Sequence, residues 1–296
     1  MKLLGSYTNG NYNVRIYDDG TKVRETDADM FQAQFPESMD VKITNQCDMG
    51  CPYCHENSSV DGLHGDILNF NFIDTLRPYT EMAIGGGNPL SHPQVVDFLK
   101  KLKDRNIIAN MTVNQKHFMD NIALIRRLAD EKLIYGLGVS FNSYTEDFVE
   151  TISQFPNAVL HVINGVISTS DLRKMLGRGL KILILGYKQF RRGNEYYSEF
   201  VERQKADMYA ALPEVLKGFR VVSFDNLALK QLAVERLLTK EEWNEFYQGD
   251  DGSHTMYVDL VNQRFALNST SVNTFDLLDT VDEMFAVLAT KRKDGN

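Results

Sequence analysis

Cysteine occurs three times in the 296 residues, and all three fall within eight positions, Cys47-Asp48-Met49-Gly50-Cys51-Pro52-Tyr53-Cys54. Thiolates at i, i+4 and i+7 can converge on one centre, and soft sulfur donors select iron–sulfur clusters, zinc or copper(I). The same spacing also runs along one face of a helix. Pro52, directly after Gly50-Cys51, opposes that by about 3 kcal/mol relative to alanine. A loop wrapped around a metal centre fits better. Three protein ligands leave a fourth metal position open, and an open position is what catalysis needs. With His55 the same thiols make a compact four-ligand zinc site, and that alternative stays open.

A second stretch carries chemistry of another kind. The apolar run Glu81-Met-Ala-Ile84 ends in Gly85-Gly86-Gly87-Asn88-Pro89. Adjacent glycines remove side chains where a backbone must approach something closely or adopt positive φ. At the C-terminal end of a strand, where α/β folds place their sites, this reads as a ligand-approach edge; a tight strand-to-helix turn is the alternative. Lys188, Arg191 and Arg192 gather farther along, and arginine's planar fork suits a carboxylate. Asn110, Thr112 and Asn114 alternate and so share one side of a strand. That side is either a polar wall facing a substrate or a hydrogen-bonded layer.

The C-x3-C-x2-C spacing, with Tyr53 just before its last cysteine, resembles the cluster motif of the radical S-adenosylmethionine (SAM) enzymes. The resemblance implies that Cys47, Cys51 and Cys54 bind three irons of a [4Fe–4S] cluster, with SAM chelating the fourth. One electron from the cluster then cleaves SAM to a 5′-deoxyadenosyl radical, which abstracts hydrogen from the substrate. It further implies that Tyr53 lies against the adenine and that Gly85, Gly86, Gly87 and Asn88 bind the methionine amino group. Asn88 stands where the family carries glutamate, which keeps the acceptor oxygen and loses the charge. Ser140 and Asn142 fall at the position that meets the ribose hydroxyls and Val166 at the one that packs on adenine; Lys188, read from its place past the sixth strand, either holds a carboxylate of SAM or substrate or belongs to a solvated charge run. Read on its own, His55 beside the motif either tunes the cluster through a hydrogen bond or is a filler residue.

These residues need elements to hold them. Residues 12–25 read as a β-hairpin turning at Asp19-Gly20. An alternating strand, Met39–Thr44, feeds the cysteine loop. Helices are then expected from about Phe70 to Tyr79, after a cap at Ser91 with Val95, Val96, Leu99 and Leu102 inside, and through Phe118, Ile122, Ile125 and Leu128. Strands are expected at 107–113, 135–141, 158–163 and 181–185, with helices opened by Thr145 and by Ser168, Thr169 or Ser170. A long helix over about 195–217, an apolar run at 219–224, a hairpin over 255–268 and a last helix from about Thr280 to Lys291 complete the chain. Trp243, Phe246 and Tyr247 make a helical aromatic stripe expected to be core.

Six strand–helix units with near-continuous apolar strands mean a parallel sheet covered by helices. That matches the partial (β/α)6 TIM-like barrel of the radical SAM fold, and the resemblance covers about residues 38–225. The expected organisation is an N-terminal β-hairpin extension (1–37), the barrel core (38–225) and a C-terminal α/β extension (226–296), which the resemblance sets against the barrel.

Composition narrows the function. A formal charge of −8 argues against a broad phosphate-binding surface, and thus against bulk nucleic acid. No run suits a membrane span, Met1–Ser6 carries no secretory pattern, and three clustered cysteines suit a reducing cytoplasm. With no cysteine after Cys54, a cysteine-ligated auxiliary cluster is excluded. The expectation is an enzyme with one cluster, SAM and a flavodoxin- or ferredoxin-type one-electron donor, acting on a small molecule, nucleotide or peptide. The alternatives are a non-catalytic zinc or structural iron–sulfur protein and a binding protein with a degenerate SAM site.

Overall fold

The computed structural model describes residues 1–247 and 249–293. Three antiparallel strands come first: β1 (Leu3–Asn9), β2 (Tyr12–Tyr17) and β3 (Lys22–Glu25). The expected hairpin is present, turning at Gly20 with φ +89°, and β1 adds a strand to it. Glu37, just ahead of the next strand, is fully buried and ties this sheet down. It accepts from Tyr12 Oη at 2.5 Å and Arg24 Nε at 2.8 Å.

The main sheet follows from alternation. In β4 (Ser38–Thr44), Met39, Val41 and Ile43 are buried in the apolar core, and Asp40, Lys42 and Thr44 share the opposite side. The pattern continues through β5 (Glu81–Gly86), β6 (Ile108–Asn114), β7 (Gly136–Ser140), β8 (Ala158–Ile163), β9 (Lys181–Leu185) and β10 (Val221–Phe224). All seven strands from β4 to β10 pair in chain order and parallel. Helices seal the outer face. Val95–Asp104 buries Val95, Phe98, Leu99 and Leu102 at i, i+3, i+4 and i+7, each contributing about 1.5–3 kcal/mol of apolar burial.

The expected second hairpin is β11 (Thr255–Asp259) with β12 (Arg264–Ala266), extended by β13 (Phe275–Asp276). β11 also pairs parallel with β4, so the hairpin belongs to the main sheet. The order is β10-β9-β8-β7-β6-β5-β4-β11-β12-β13, and no pairing among the described residues closes β10 onto the far edge. The result is an incomplete parallel α/β barrel, wider than six units because β10 and β11 flank the expected strands. Glu37, Asn157 and His254 immediately precede β4, β8 and β11 and all bond the N-terminal sheet. That sheet therefore caps the end of the barrel opposite the cysteine loop.

Several local expectations are corrected. The helix expected over 70–79 is only Asn71–Asp74, since Pro78 cannot continue it and Tyr79 sits at φ +71°. Ser91 caps no helix; it ends a 3-10 turn begun by Pro89, and Val95–Asp104 starts after Gln94 without a side-chain cap. The helix through Phe118 and Leu128 breaks at Asn121 into Gln115–Asp120 and Ile122–Asp130. The long helix is Glu199–Gly218, preceded by a short turn at Arg192–Tyr196. Trp243, Phe246 and Tyr247 are not core. Their helix, Lys240–Phe246, buries no residue, and Trp243 stacks on Tyr247 with centroids 4.9 Å apart. Ser168 is the cap among its three candidates, and Thr145 caps as expected.

Candidate active site

β4 ends at Thr44, and the chain crosses Asn45-Gln46 into the cysteine loop. Residues 47–54 form no helix. Main-chain bonds fix the loop instead: Cys47 N–H donates to Ser59 O at 2.8 Å, and Asn45 N–H to Leu63 O at 2.8 Å. Gly50 turns it at φ +58°, where a side chain would be strained. The three thiols are half-buried and line one cavity of about 310 Å³. Burial pushes the Cys47 and Cys51 thiols up, and Cys54 raises both further, so the three share one electrostatic environment. Arg192 draws both back down, toward the thiolate that metal binding needs. Burial, with Cys51 close by, raises the Tyr53 phenol; its ring meets Tyr196 edge-on.

The glycine run works as a clamp on this loop. Gly87 N–H donates to Thr44 O and Asn88 N–H to Gln46 O, both at 2.7 Å. A Cβ on Gly86 would lie 2.4 Å from Thr44 O, and one on Gly87 would lie 2.2 Å from Gln46 O. Two of the three glycines are therefore required by backbone packing against the segment entering Cys47. Gly85 differs: a Cβ there meets nothing within 4 Å, and the residue lines the cavity. Asn88 is not among the cavity-lining residues; its Oδ1 accepts from Leu90 N–H at 3.2 Å and caps the turn at Pro89.

Tyr53, Gly85, Gly86, Gly87, Ser140, Asn142, Val166 and Lys188 all line the cavity with the cysteines. Asn142 and Asn114 exchange amide hydrogen bonds of 2.9 and 3.0 Å, and Gln115 Oε1 accepts from Asn142 N–H at 2.8 Å. Thr112 and Asn114 face the cavity, whereas Asn110 Oδ1 accepts from Gly136 N–H at 2.7 Å, a hydrogen-bonded layer. Arg191 and Arg192 do not wait for a carboxylate. Arg191 Nη1 donates to Glu56 O at 2.9 Å and Arg192 Nη2 to Ser58 O at 2.6 Å, so both brace the loop past Cys54.

Sequence reasoning missed a buried charge network beneath that loop. Lys42, 1% exposed, lies 3.0 Å from Glu56 Oε2 and 3.1 Å from Asp259 Oδ2. Tyr257 Oη donates to Glu56 at 3.2 Å. Lys188 Nζ donates to Ser269 Oγ at 2.8 Å and lies 3.3 Å from His55 Nε2. Burial, with Lys188 and Arg191 nearby, pushes the His55 imidazole well down, which keeps it neutral. His161 on β8 also lines the cavity, lowered to about 4 by burial. Its imidazole and the Thr112 hydroxyl fill the space a Cβ on Gly138 would need. The signal for Lys42 and His161 was present as polar positions at period two inside apolar strands.

The donor set fits a cluster better than a single ion. Among the described residues, the group of three ligand atoms lying within 4.8 Å of one another is Cys47, Asp48 and His117, with His117 Nε2 2.6 Å from Asp48 Oδ1. The three sulfurs do not all lie within 4.8 Å of one another, whereas one tetrahedral zinc would hold them about 3.8 Å apart. His55 is engaged by Lys188, Ser269 and Glu56 and makes no fourth ligand of a compact zinc site. Buried Arg192 Nε and Ser58 Oγ have no partner, so donors remain beside the sulfurs.

No family model matches the chain, and no curated protein sequence matches it. Solved structures do. Streptococcus suis SuiB bound to S-adenosylmethionine aligns at a TM-score of 0.59 and 12% identity, covering 86% of this chain and 66% of that one. SuiB bound to precursor peptide SuiA aligns at 0.58 and 14% identity, covering 86% and 65%. SuiB itself gives 0.55 and 13%, covering 87% and 66%. The chain thus spans just under two thirds of the SuiB length, and at such identity the likeness is one of fold.

Proposed function

We propose that this chain is a radical SAM enzyme with one [4Fe–4S] cluster. One observation carries the reading: the three cysteines and the end of the glycine-rich strand line the same cavity at the C-terminal mouth of an incomplete parallel barrel. The fold match to a SAM-bound protein supports it. When bound, the cluster and SAM supply a 5′-deoxyadenosyl radical able to take a hydrogen atom.

The chain's own residues do the rest. Cys47, Cys51 and Cys54 hold the cluster, and the clamp from Gly86, Gly87 and Asn88 fixes the loop that carries them. Gly85 leaves room for the methionine end of SAM, and Tyr53 and Val166 offer surfaces to the adenine. Ser140 and Asn142 meet the ribose hydroxyls, with Asn142 oriented by Asn114 and Gln115. Lys188, held by Ser269 and His55, faces a carboxylate. The outer helices and the N-terminal sheet exclude water from below. An external one-electron donor of flavodoxin or ferredoxin type completes the turnover. A peptide is the favoured substrate class, supported by the SuiA-bound SuiB structure and by the open side of the barrel. No helix among the described residues is long and apolar enough to cross a membrane.

The test is anaerobic reconstitution with iron and sulfide, followed by dithionite and SAM. The expected result is an electron paramagnetic resonance signal of the reduced cluster that shifts with SAM, and 5′-deoxyadenosine that disappears in Cys51→Ala. A chain that retains zinc and forms neither cluster nor 5′-deoxyadenosine would overturn the reading. Cluster assembly without SAM cleavage would favour a degenerate SAM site.

A further inference from the structure

Asp40 stands apart from every other charge in the cavity. Two cations line that space, Lys42 and Lys188, and both are spoken for: Lys42 by Glu56 and Asp259, Lys188 by Ser269 and His55. Asp40 has no hydrogen-bond or ion-pair partner among the described residues, and its side chain is exposed to the cavity. It lies on β4, in register with Ala83 on one side and Tyr257 on the other. It sits four positions before the strand end at Thr44, about 13 Å below it at 3.3 Å per residue.

The surroundings are short of positive charge. Enclosure by protein pushes the Asp40 carboxyl up; Lys188 opposes this, and Asp251, Asp225 and Glu56 add to it. His161, also in the cavity, is held neutral by burial and brings no competing charge. Tyr257 flanks Asp40 with an aromatic ring, a surface that accepts a cation. A carboxylate so placed gains most when a ligand brings the missing cation.

We propose that Asp40 is the specificity-determining residue of the lumen, receiving an ammonium or guanidinium group on the substrate. The inference rests on the lumen being the substrate chamber of the enzyme proposed above. It separates substrate from SAM by depth, since Asp40 lies two positions, about 7 Å, below Lys42, the register partner of Gly85, and farther below Thr44, where the chain leaves for the cysteine loop.

The experiment measures binding of Ac-Gly-Lys-Gly-NH2, its norleucine counterpart and its glutamate counterpart to the cluster-loaded, SAM-bound protein, and again to the metal-free chain. The lysine peptide is expected to bind at least about tenfold tighter than the norleucine peptide, and the glutamate peptide weakest. Asp40→Asn should erase that preference and Asp40→Glu should keep part of it, with SAM affinity and melting temperature unchanged in both. Equal binding of lysine and norleucine peptides, or a preference that survives Asp40→Asn, would overturn the proposal. Failure of cluster assembly or SAM binding in the wild type would instead remove the enzyme reading, while the cation preference remains readable on the metal-free chain.

Discussion

Lys42 and Glu56 join the first barrel strand to the loop just past the last cysteine through an ion pair 3.0 Å long. Asp259, on the C-terminal hairpin, closes on the same ammonium at 3.1 Å. Removing one member of a buried set leaves uncompensated charge, at about 3–5 kcal/mol. Lys42→Met keeps the stem and removes the charge. It is expected to lose about that much stability in urea denaturation and to retain less iron per chain after reconstitution. A change below about 1 kcal/mol would show that the network does not secure the loop.

The glycine run makes a paired test. Gly87→Ala forces a Cβ to within 2.2 Å of Gln46 O, so the segment entering Cys47 must move. Gly85→Ala adds a methyl group into open space. Both variants are expected to fold, as read by circular dichroism. Gly87→Ala should incorporate much less cluster iron, and Gly85→Ala should load normally but bind SAM more weakly. Equal loading in the two would refute the clamp.

Asn88 gives a third expectation. Its Oδ1 caps the Pro89 turn and the residue does not line the cavity. Asn88→Glu should therefore change the SAM dissociation constant by less than about threefold, under about 0.7 kcal/mol. Calorimetric titration of the reconstituted variant checks this. A gain of tenfold or more would mean that the side chain reaches the ligand.

Acid stability follows from His254. Burial first, with Arg24 adding to it, lowers its pKa from 6.5 to about 4, against the opposing charge of Glu37. Between pH 6.5 and about 4 the unfolded chain binds a proton that the folded chain refuses, so stability falls as pH falls through that window. Glu37 behaves differently. Burial alone would raise it, but Arg24 and Lys22 bring it to about 2, so its contribution is present above pH 4.5 and is lost as pH falls toward 2. His254→Asn is expected to reduce the slope of the melting-temperature profile between pH 4 and 6.5, with the remainder carried by buried His161 and His55, while leaving the drop below pH 4. An unchanged slope over the upper window would rule His254 out.

Much of this site was legible because it is local. The cysteine spacing, the glycine run and strands β4 to β9 each carry their signal within a few residues. What escaped was pairing at a distance. Nothing near Thr255 says that β11 will lie beside β4, so Tyr257 and Asp259 gave no hint of joining Lys42 and Glu56. Asp40, Lys42 and His161 were visible as polar positions within apolar strands. Their meaning depends on curvature, which turns that side of the sheet inward. The aromatic stripe at Trp243 failed for the opposite reason: helical spacing was right, but the seven-residue helix lies on the surface with no partner sheet.

The parallel pairing of β11 with β4 has a consequence for how the protein is made. The cysteine loop leaves the ribosome well before Asp259, which follows Lys42 by 217 positions. Until that segment arrives, the Lys42 ammonium lacks one of its two carboxylates and the first barrel strand lacks one of its two neighbours, a delay typical of high contact order. The cysteine loop is thus translated long before the strand that braces it.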